Sequence, residues 1–298
     1  MKEIPLFPTF IRVTLEHKDE YYSHLKKVPK PPCNSLFMTL IIYDKDNQQI
    51  KLCKLNGNII ILVFDKDTPS YFGPIIGNKN VNITAQICMQ KFDINFLYFP
   101  LSSISLPTDK LNIINDRDNY DYLYKTDDLI YFKKSKMHRI NLNRFISKIN
   151  YLYKSIKSNN TKELQDIILF YQNWFNDYRN QTRVIPLTVQ EEYNAFYEML
   201  KNIDTLDLKI GSIYVNGKIA GFTIGSIFNN TGYIHLEKCI RYERGSYQAM
   251  IHEFGKDYFE NVVETVNREE DLGIDGLRRN KQSYKPYDFV EKIVIRNF

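Results

Sequence analysis

Lys51-Leu52-Cys53-Lys54-Leu55 runs into Asn56-Gly57 and out through Asn58-Ile59-Ile60-Ile61-Leu62-Val63-Phe64. The same syntax returns 160 positions later (216 against 56), where Lys209 to Val215 leads into Asn216-Gly217 and then Lys218 to Phe228. Asn-Gly supplies the two left-handed residues of a type I′ turn, and β-branched or aromatic flanks complete a hairpin on each side. One signal recurring at about a domain length reads as a duplicated unit. The expected fold class is α/β in its α+β form: two tandem domains, each a mixed, mostly antiparallel sheet flanked by helices.

The chain's 298 residues suit two domains. Between the hairpins the pattern turns helical. Leu142, Phe145, Ile146, Ile149, Leu152, Tyr153 and Ile156 share one helical spacing, and Leu164, Ile167, Ile168, Tyr171, Phe175 and Tyr178 share another. Thr161 caps the second after the polar break Lys157-Ser158-Asn159-Asn160, and Thr188 with Glu191 forms a capping box for a third. The break sets the expected domains at 1–158 and 159–298.

Hydrophobic residues at 43% and charged residues at 25% exclude wholesale disorder and fibrous classes. The longest apolar run, Ile59 to Phe64, falls far short of the ~20 residues of a membrane span. No basic segment with an apolar stretch behind it opens the chain, so a soluble, cytoplasmic protein is expected. The charge of +5, from 40 basic and 35 acidic side chains, does not by itself demand a nucleic-acid partner. Cys33, Cys53, Cys88 and Cys239 lack C-x-x-C spacing and read as reduced thiols. His252-Glu253 starts like a zinc-protease motif, but Lys256 stands at the second histidine position, so no metal is expected. Residues 125 to 157 hold nine Lys or Arg against Asp127 and Asp128. Lys133, Lys134, Lys136 and Arg139 are its candidate contacts to phosphates of RNA, CoA or lipid headgroups; a solvated helix face explains the segment equally well.

The chemistry concentrates from Tyr233 to Pro286. Tyr233 to Lys238 reads as a strand with His235 and Glu237 on one face. A turn through Arg241-Tyr242-Glu243-Arg244-Gly245-Ser246 follows, then a helix with Tyr247, Met250, Ile251, Phe254 and Tyr258 inward. Strand, glycine turn and helix is a geometry that aims backbone N–H groups at an anion. Asn267 to Arg278 is then denser in unlike charges than a connector needs, and Gly273 and Gly276 interrupt it.

His235-Leu236-Glu237-Lys238, Gly245-Ser246-Tyr247-Gln248, Asn267 to Arg278 and Lys281-Gln282-Ser283-Tyr284-Lys285-Pro286 together resemble the phosphatidylglycerol lysyltransferase C-terminal-like family. Tyr122 to Leu129 and Lys136 to Phe145 are similar to that family's central region. The resemblance spans about residues 35 to 292 and is strongest after 210. It implies two tandem acyltransferase folds of the GNAT type, the layout also used by Fem-type aminoacyl transferases. The GNAT pyrophosphate pattern, Q/R-x-x-G-x-G/A, laid on Gly245 puts Tyr242 and Tyr247 at its outer positions.

The expected activity is transfer of an acyl or aminoacyl group from an activated carrier, charged tRNA before acyl-CoA, to an amine or hydroxyl. No tightly bound cofactor is expected, and tRNA and a small-molecule or lipid-headgroup acceptor are the expected partners. Such transfer needs a base, oxyanion donors and a held carrier. Glu237 or His235 is the candidate base, with Tyr247 beside them. The N–H groups after Gly245 and Ser246 are candidate donors. Glu269 or Asp271 suits an α-amino group, and Arg268 or Arg278 a phosphate or carboxylate; Lys238, Asn267 and Lys281 complete the expected substrate contacts. An acetyl-CoA-dependent N-acetyltransferase and a non-catalytic ligand-binding module are the alternatives.

Overall fold

Both Asn-Gly pairs close hairpins. Asn56 and Gly57 adopt φ of +53° and +74°, and Asn216 and Gly217 adopt +50° and +74°, the left-handed pair that a type I′ turn needs. In this computed structural model the described residues are 3–104, 111–181, 187–240 and 244–296. They form two units. The first runs through Asp121 and takes back Glu270–Asp275 and the chain from Phe289; the second holds Tyr122–Glu269 and Gly276–Asp288.

The first unit contains β1 (Ile11–Arg12), α1 (Lys18–Leu25), α2 (Phe37–Tyr43), β2 (Ile50–Leu55), β3 (Asn58–Asp65), β4 (Thr68–Phe72), α3 (Val81–Phe92), β5 (Phe96–Pro100) and β6 (Asn112–Asn115). The second has β7 (Asp121–Lys125), α4 (Thr126–Ile130), α5 (Lys136–Lys148), β8 (Tyr151–Ile156), α6 (Thr161–Gln181), α7 (Leu187–Lys201), β9 (Lys209–Val215), β10 (Lys218–Phe228), β11 (Thr231–Cys239), α8 (Ser246–Tyr258), β12 (Thr265–Asn267) and α9 (Asp275–Ser283). The chain ends with β13 (Asp288–Val290) and β14 (Lys292–Arg296).

The sheet orders are β1-β2-β3-β4-β5-β14-β6 and β8-β9-β10-β11-β12-β7-β13. They match place by place. The Asn-Gly hairpin is second and third in each. The fourth and fifth strands are parallel in each and joined through one helix, α3 or α8. The sixth strand is antiparallel to the fifth in each and comes from a distant part of the chain.

The division falls after Asp121, not near 158. Residue 158 lies between β8 and α6, inside the second unit, because β8 pairs with β9 from Tyr151↔Val215 to Ile156↔Ile210. The helix expected through Ile156 also ends early, at Lys148. Tyr151, Tyr153 and Ser155 alternate instead toward α8, where their hydroxyls meet Glu253 at 2.6 Å, Asp257 at 3.0 Å and the Tyr258 hydroxyl. Their partners on α8 explain a strand that its apolar spacing disguised as helix. The second helix forms over Thr161–Gln181, with Thr161 as its first residue and not its cap. The Thr188 cap lies outside the described side chains.

On one face of the second sheet, α6 and α7 bury Tyr171 and Phe196 against Phe222, with ring centroids 4.7 to 5.8 Å apart. Each such ring contributes about 1.5–3 kcal/mol by leaving water. On the other face α8 buries Met250, Ile251 and Phe254.

Candidate active site

Parallel pairing of β11 with β12 stops at Tyr233↔Asn267, and β11 runs on to Cys239 beside β10 alone. A notch opens between them. Within it β11 carries an extra residue: Gly225 faces Ile234 and Ile224 faces Leu236, so His235 has no register partner on β10. A bulge of this kind resets the alternation of side chains. Tyr233 therefore stands opposite Ser226, and Glu237 opposite Thr223. Those two β10 residues are three apart and point to opposite faces. The expectation that His235 and Glu237 share a face is thus overturned.

The α8 face of the notch holds a buried polar cluster. Glu237 Oε1 lies 3.7 Å from Arg268 Nη2, both side chains under 10% exposed. The Arg268 guanidinium sits 4.5 Å from the Tyr284 ring centre and 5.9 Å from that of Tyr124. Gln248 of α8 donates to the Tyr284 hydroxyl at 3.0 Å and meets His138 Nδ1 at 2.9 Å. His138 stacks on Tyr284 at 3.8 Å and reaches Ser283 Oγ at 2.8 Å. Lys281 Nζ donates to the Arg268 carbonyl oxygen. Three atoms here have no hydrogen-bond partner although buried: Glu237 Oε2, Arg268 Nη1 and Thr223 Oγ1. Native structures leave few such atoms, and each calls for a reason.

Burial raises the Glu237 carboxyl above the usual range, against the pull of Arg268, Lys238 and Lys281. Burial works to lower the Arg268 guanidinium, but Glu237, Tyr284 and Tyr124 outweigh it and the net direction is up. The Tyr284 hydroxyl is pushed up to about 12 by burial. His138 is pulled down to about 4 by burial and then by Arg268.

The opposite face is simpler. Ser226 Oγ meets His235 Nε2 at 2.8 Å, and His235 Nδ1 meets Glu269 Oε1 at 2.7 Å. Glu269 holds a left-handed φ of +58°, and its N–H donates to Asn267 Oδ1 at 2.7 Å.

The remaining expected residues scatter. Lys238 turns toward α6 and α7, ion-paired to Glu192 at 2.8 Å and 4.4 Å from the Trp174 ring centre. Asp271 belongs to the first unit, where it pairs with Arg117 at 3.2 Å and accepts from the Gly273 N–H. Tyr247 and Arg278 are half-buried on α8 and α9. Gly245, at φ of +102°, starts α8, but a Cβ there would run into the Asn141 carbonyl oxygen of α5 and the Phe145 side chain. Helix packing explains that glycine, and Ser246 Oγ is spent on the Ile240 carbonyl at 2.8 Å. Residues 241–243 lie outside the described set. Lys133 and Lys134 pair with Asp127 at 2.6 Å and Asp128 at 2.8 Å, while Lys136 and Arg139 are exposed on α5.

Sequence reasoning gave no role to Thr223, Ser226, His138, Gln248 or Tyr284. The available signal was two hydroxyls, Thr223 and Ser226, inside an otherwise apolar strand. In the first unit Cys33, Asp121 and Glu270 offer three ligand atoms within 4.8 Å of one another. Lys292 Nζ stands 2.5 Å from both carboxylates, so an ammonium takes the place a cation would need.

The family profile described as phosphatidylglycerol lysyltransferase, C-terminal, matches residues 39–296. The chain belongs to this family. A solved protein of unknown function from Bacteroides thetaiotaomicron superposes with a TM-score of 0.85 at 25% identity, covering 96% of this chain and 98% of its own. L-PGS from Bacillus licheniformis gives 0.58 at 13% identity, covering 99% of this chain and 94% of its own. FemX gives 0.61 at 10% identity, covering 97% of both chains. An uncharacterised protein of Mycoplasmoides gallisepticum is 28% identical over 178 residues, 59% of this chain and 56% of the relative. The match thus spans little more than half of that relative. The likeness to L-PGS and FemX shows a shared fold, here two tandem GNAT-like units. No helix among the described residues is long and apolar enough to cross a membrane.

Proposed function

We propose that the notch of the second unit transfers an acyl group, with an aminoacyl ester on tRNA as the favoured donor, to an amine or hydroxyl acceptor. The observation that carries this reading is the set of three unpartnered buried atoms on Thr223, Glu237 and Arg268. Leaving a buried polar atom unmade costs about 1–3 kcal/mol, and a ligand that supplies the partners recovers it. An aminoacyl ester has the matching groups. Its carbonyl oxygen suits Arg268 Nη1, which would steady the oxyanion of a tetrahedral intermediate. Its amine, or the attacking nucleophile, suits Glu237 Oε2. A carboxyl raised by burial is a better base for a neutral amine than an ordinary glutamate.

Charged tRNA is favoured over acyl-CoA by the packing at Gly245. The start of α8, where a CoA pyrophosphate would seek N–H donors, is pressed against the Asn141 carbonyl, an acceptor that repels phosphate oxygen. Turnover assays with charged tRNAs and with acyl-CoAs, each with amine acceptors, test the reading. Glu237→Gln should keep the fold and lower turnover by about 10²-fold or more. Absence of transfer from either donor class would sink it and leave a binding module.

A further inference from the structure

We propose that Ser226, His235 and Glu269 form a nucleophilic relay on the opposite face of β11, and that Ser226 accepts an acyl group as a covalent ester. Two hydrogen bonds run in series through the two nitrogens of one ring, 2.8 Å to the serine hydroxyl and 2.7 Å to the carboxylate. An ionised carboxylate only accepts, so His235 Nδ1 carries the ring hydrogen and Nε2 is the acceptor that faces Ser226 Oγ. That is the tautomer a serine needs for deprotonation, and such constellations are recognised by geometry and roles on unrelated folds.

Two backbone irregularities and the place where β9 ends bring the groups together. His235 is the extra residue of the β11 bulge. Glu269 sits at φ of +58° in a turn fixed by Asn267 Oδ1. Ser226 stands just past the last β9–β10 register pair, Lys209↔Gly225, and is still paired with Tyr233 of β11. Irregular backbone at two of the three members of one short constellation is a pattern expected of a working site. The His235 ring is buried, whereas the Glu269 side chain remains 26% exposed.

Ser226 Oγ attacks the carbonyl carbon of an activated acyl ester while its proton passes to His235 Nε2. The bond from that carbon to the carrier oxygen breaks, and His235 returns the proton to the departing oxygen. An amine or water then attacks the Ser226 ester, again giving its proton to Nε2, and Ser226 leaves with that proton restored. Glu269 is a positioning residue, holding the ring and its charge.

Only the choice of an activated ester as substrate class rests on the transferase reading; the relay geometry does not. The test therefore uses carriers of neither kind. The full chain is treated with a fluorophosphonate and with p-nitrophenyl acetate, followed by intact mass, peptide mapping and p-nitrophenolate release. One adduct on Ser226 is expected, lost in Ser226→Ala, slowed about 10²-fold in Glu269→Gln and partly restored in Glu269→Asp. Should Ser226→Ala not fold, Ser226→Cys is alkylated by iodoacetamide instead, at a rate that Glu269→Gln lowers. A folded wild type that takes neither reagent at Ser226, or labelling indifferent to Glu269, overturns the relay. Such a failure leaves the tRNA-transfer assay of Glu237 untouched, and failure of that assay leaves the labelling untouched.

Discussion

The two units share a strand order and differ in what fills the gap between the fourth and fifth strands. In the first unit that parallel contact is Phe72↔Phe96, stacked at 4.7 Å, and Ile75, Phe99 and Met89 join the same apolar cluster. In the second, the gap holds Glu237, Arg268 and Tyr284. The first unit also has a buried charge cluster, at Lys292, but it is saturated: the ammonium meets Asp121, Glu270 and Asn34, each at 2.5 Å. The Glu237 cluster leaves three atoms unpartnered. A saturated cluster needs nothing further, whereas an unsaturated one has capacity that the proposed substrate would fill. The frame occurs twice, and under the proposed reading only the second copy carries the chemistry.

The largest effect should come from breaking the saturated side. Burial works to lower the Lys292 ammonium, but Asp121, Cys33 and Glu270 outweigh that and raise it well above its ordinary range. Lys292→Ala strips the counter-charge from two buried carboxylates. Chemical denaturation should show a loss of about 3–5 kcal/mol, the usual cost of orphaning a buried ion. A loss below about 1 kcal/mol would mean water already reaches the cluster, and the contrast between units would weaken.

The unsaturated side should betray itself in its pH dependence. His138 titrates in the folded state at about 4, against 6.5 when exposed. Between those values the unfolded chain binds a proton that the native state refuses, so stability falls as pH drops from about 6.5 toward 4. The shift is worth about 3 kcal/mol at most. Denaturation curves at pH 7, 5.5 and 4 should show that slope in the wild type and a flatter one in His138→Gln. Equal slopes would separate His138 from the cluster.

Much of the frame was legible because turns announce themselves: two Asn-Gly pairs marked the hairpins and hence the duplicated sheets. The boundary was less legible, since the sixth strand of each sheet comes from elsewhere in the chain and no local signal marks β7 or β14 as belonging to a given sheet. At the site, His235 and Glu237 stood out as polar residues in a strand, and Arg268 and Glu269 as members of a run of unlike charges. Their division into two pairs did not, because it depends on one extra residue at His235, and a bulge leaves no periodic trace. Asp271 looked like a member of the same group by proximity in sequence alone.

Gly245 sharpens the contrast between packing and ligand. Gly245→Ala puts a Cβ against the Asn141 carbonyl and a side chain at φ of +102°. A loss of about 2 kcal/mol is expected. If the glycine served a phosphate instead, stability would hold and transfer activity alone would fall.

The smallest effect belongs to the basic segment. Lys133 and Lys134 are about half exposed, and each already has a carboxylate partner, at 2.6 Å and 2.8 Å. Exposed pairs contribute about 0–1 kcal/mol, and their charge is cancelled locally before any phosphate arrives. Lys136 and Arg139 are exposed on α5. The two pairs of residues should therefore separate in a binding experiment. With tRNA, Lys136→Ala and Arg139→Ala together should lower the slope of log affinity against log salt by up to about two phosphate contacts' worth. Lys133→Ala and Lys134→Ala together should leave that slope nearly unchanged and alter stability by less than about 0.5 kcal/mol. A slope that responds only to Lys133 and Lys134 would show that RNA competes their carboxylates away. The segment would then join the second unit's chemistry, and its local ion pairs would be a resting state.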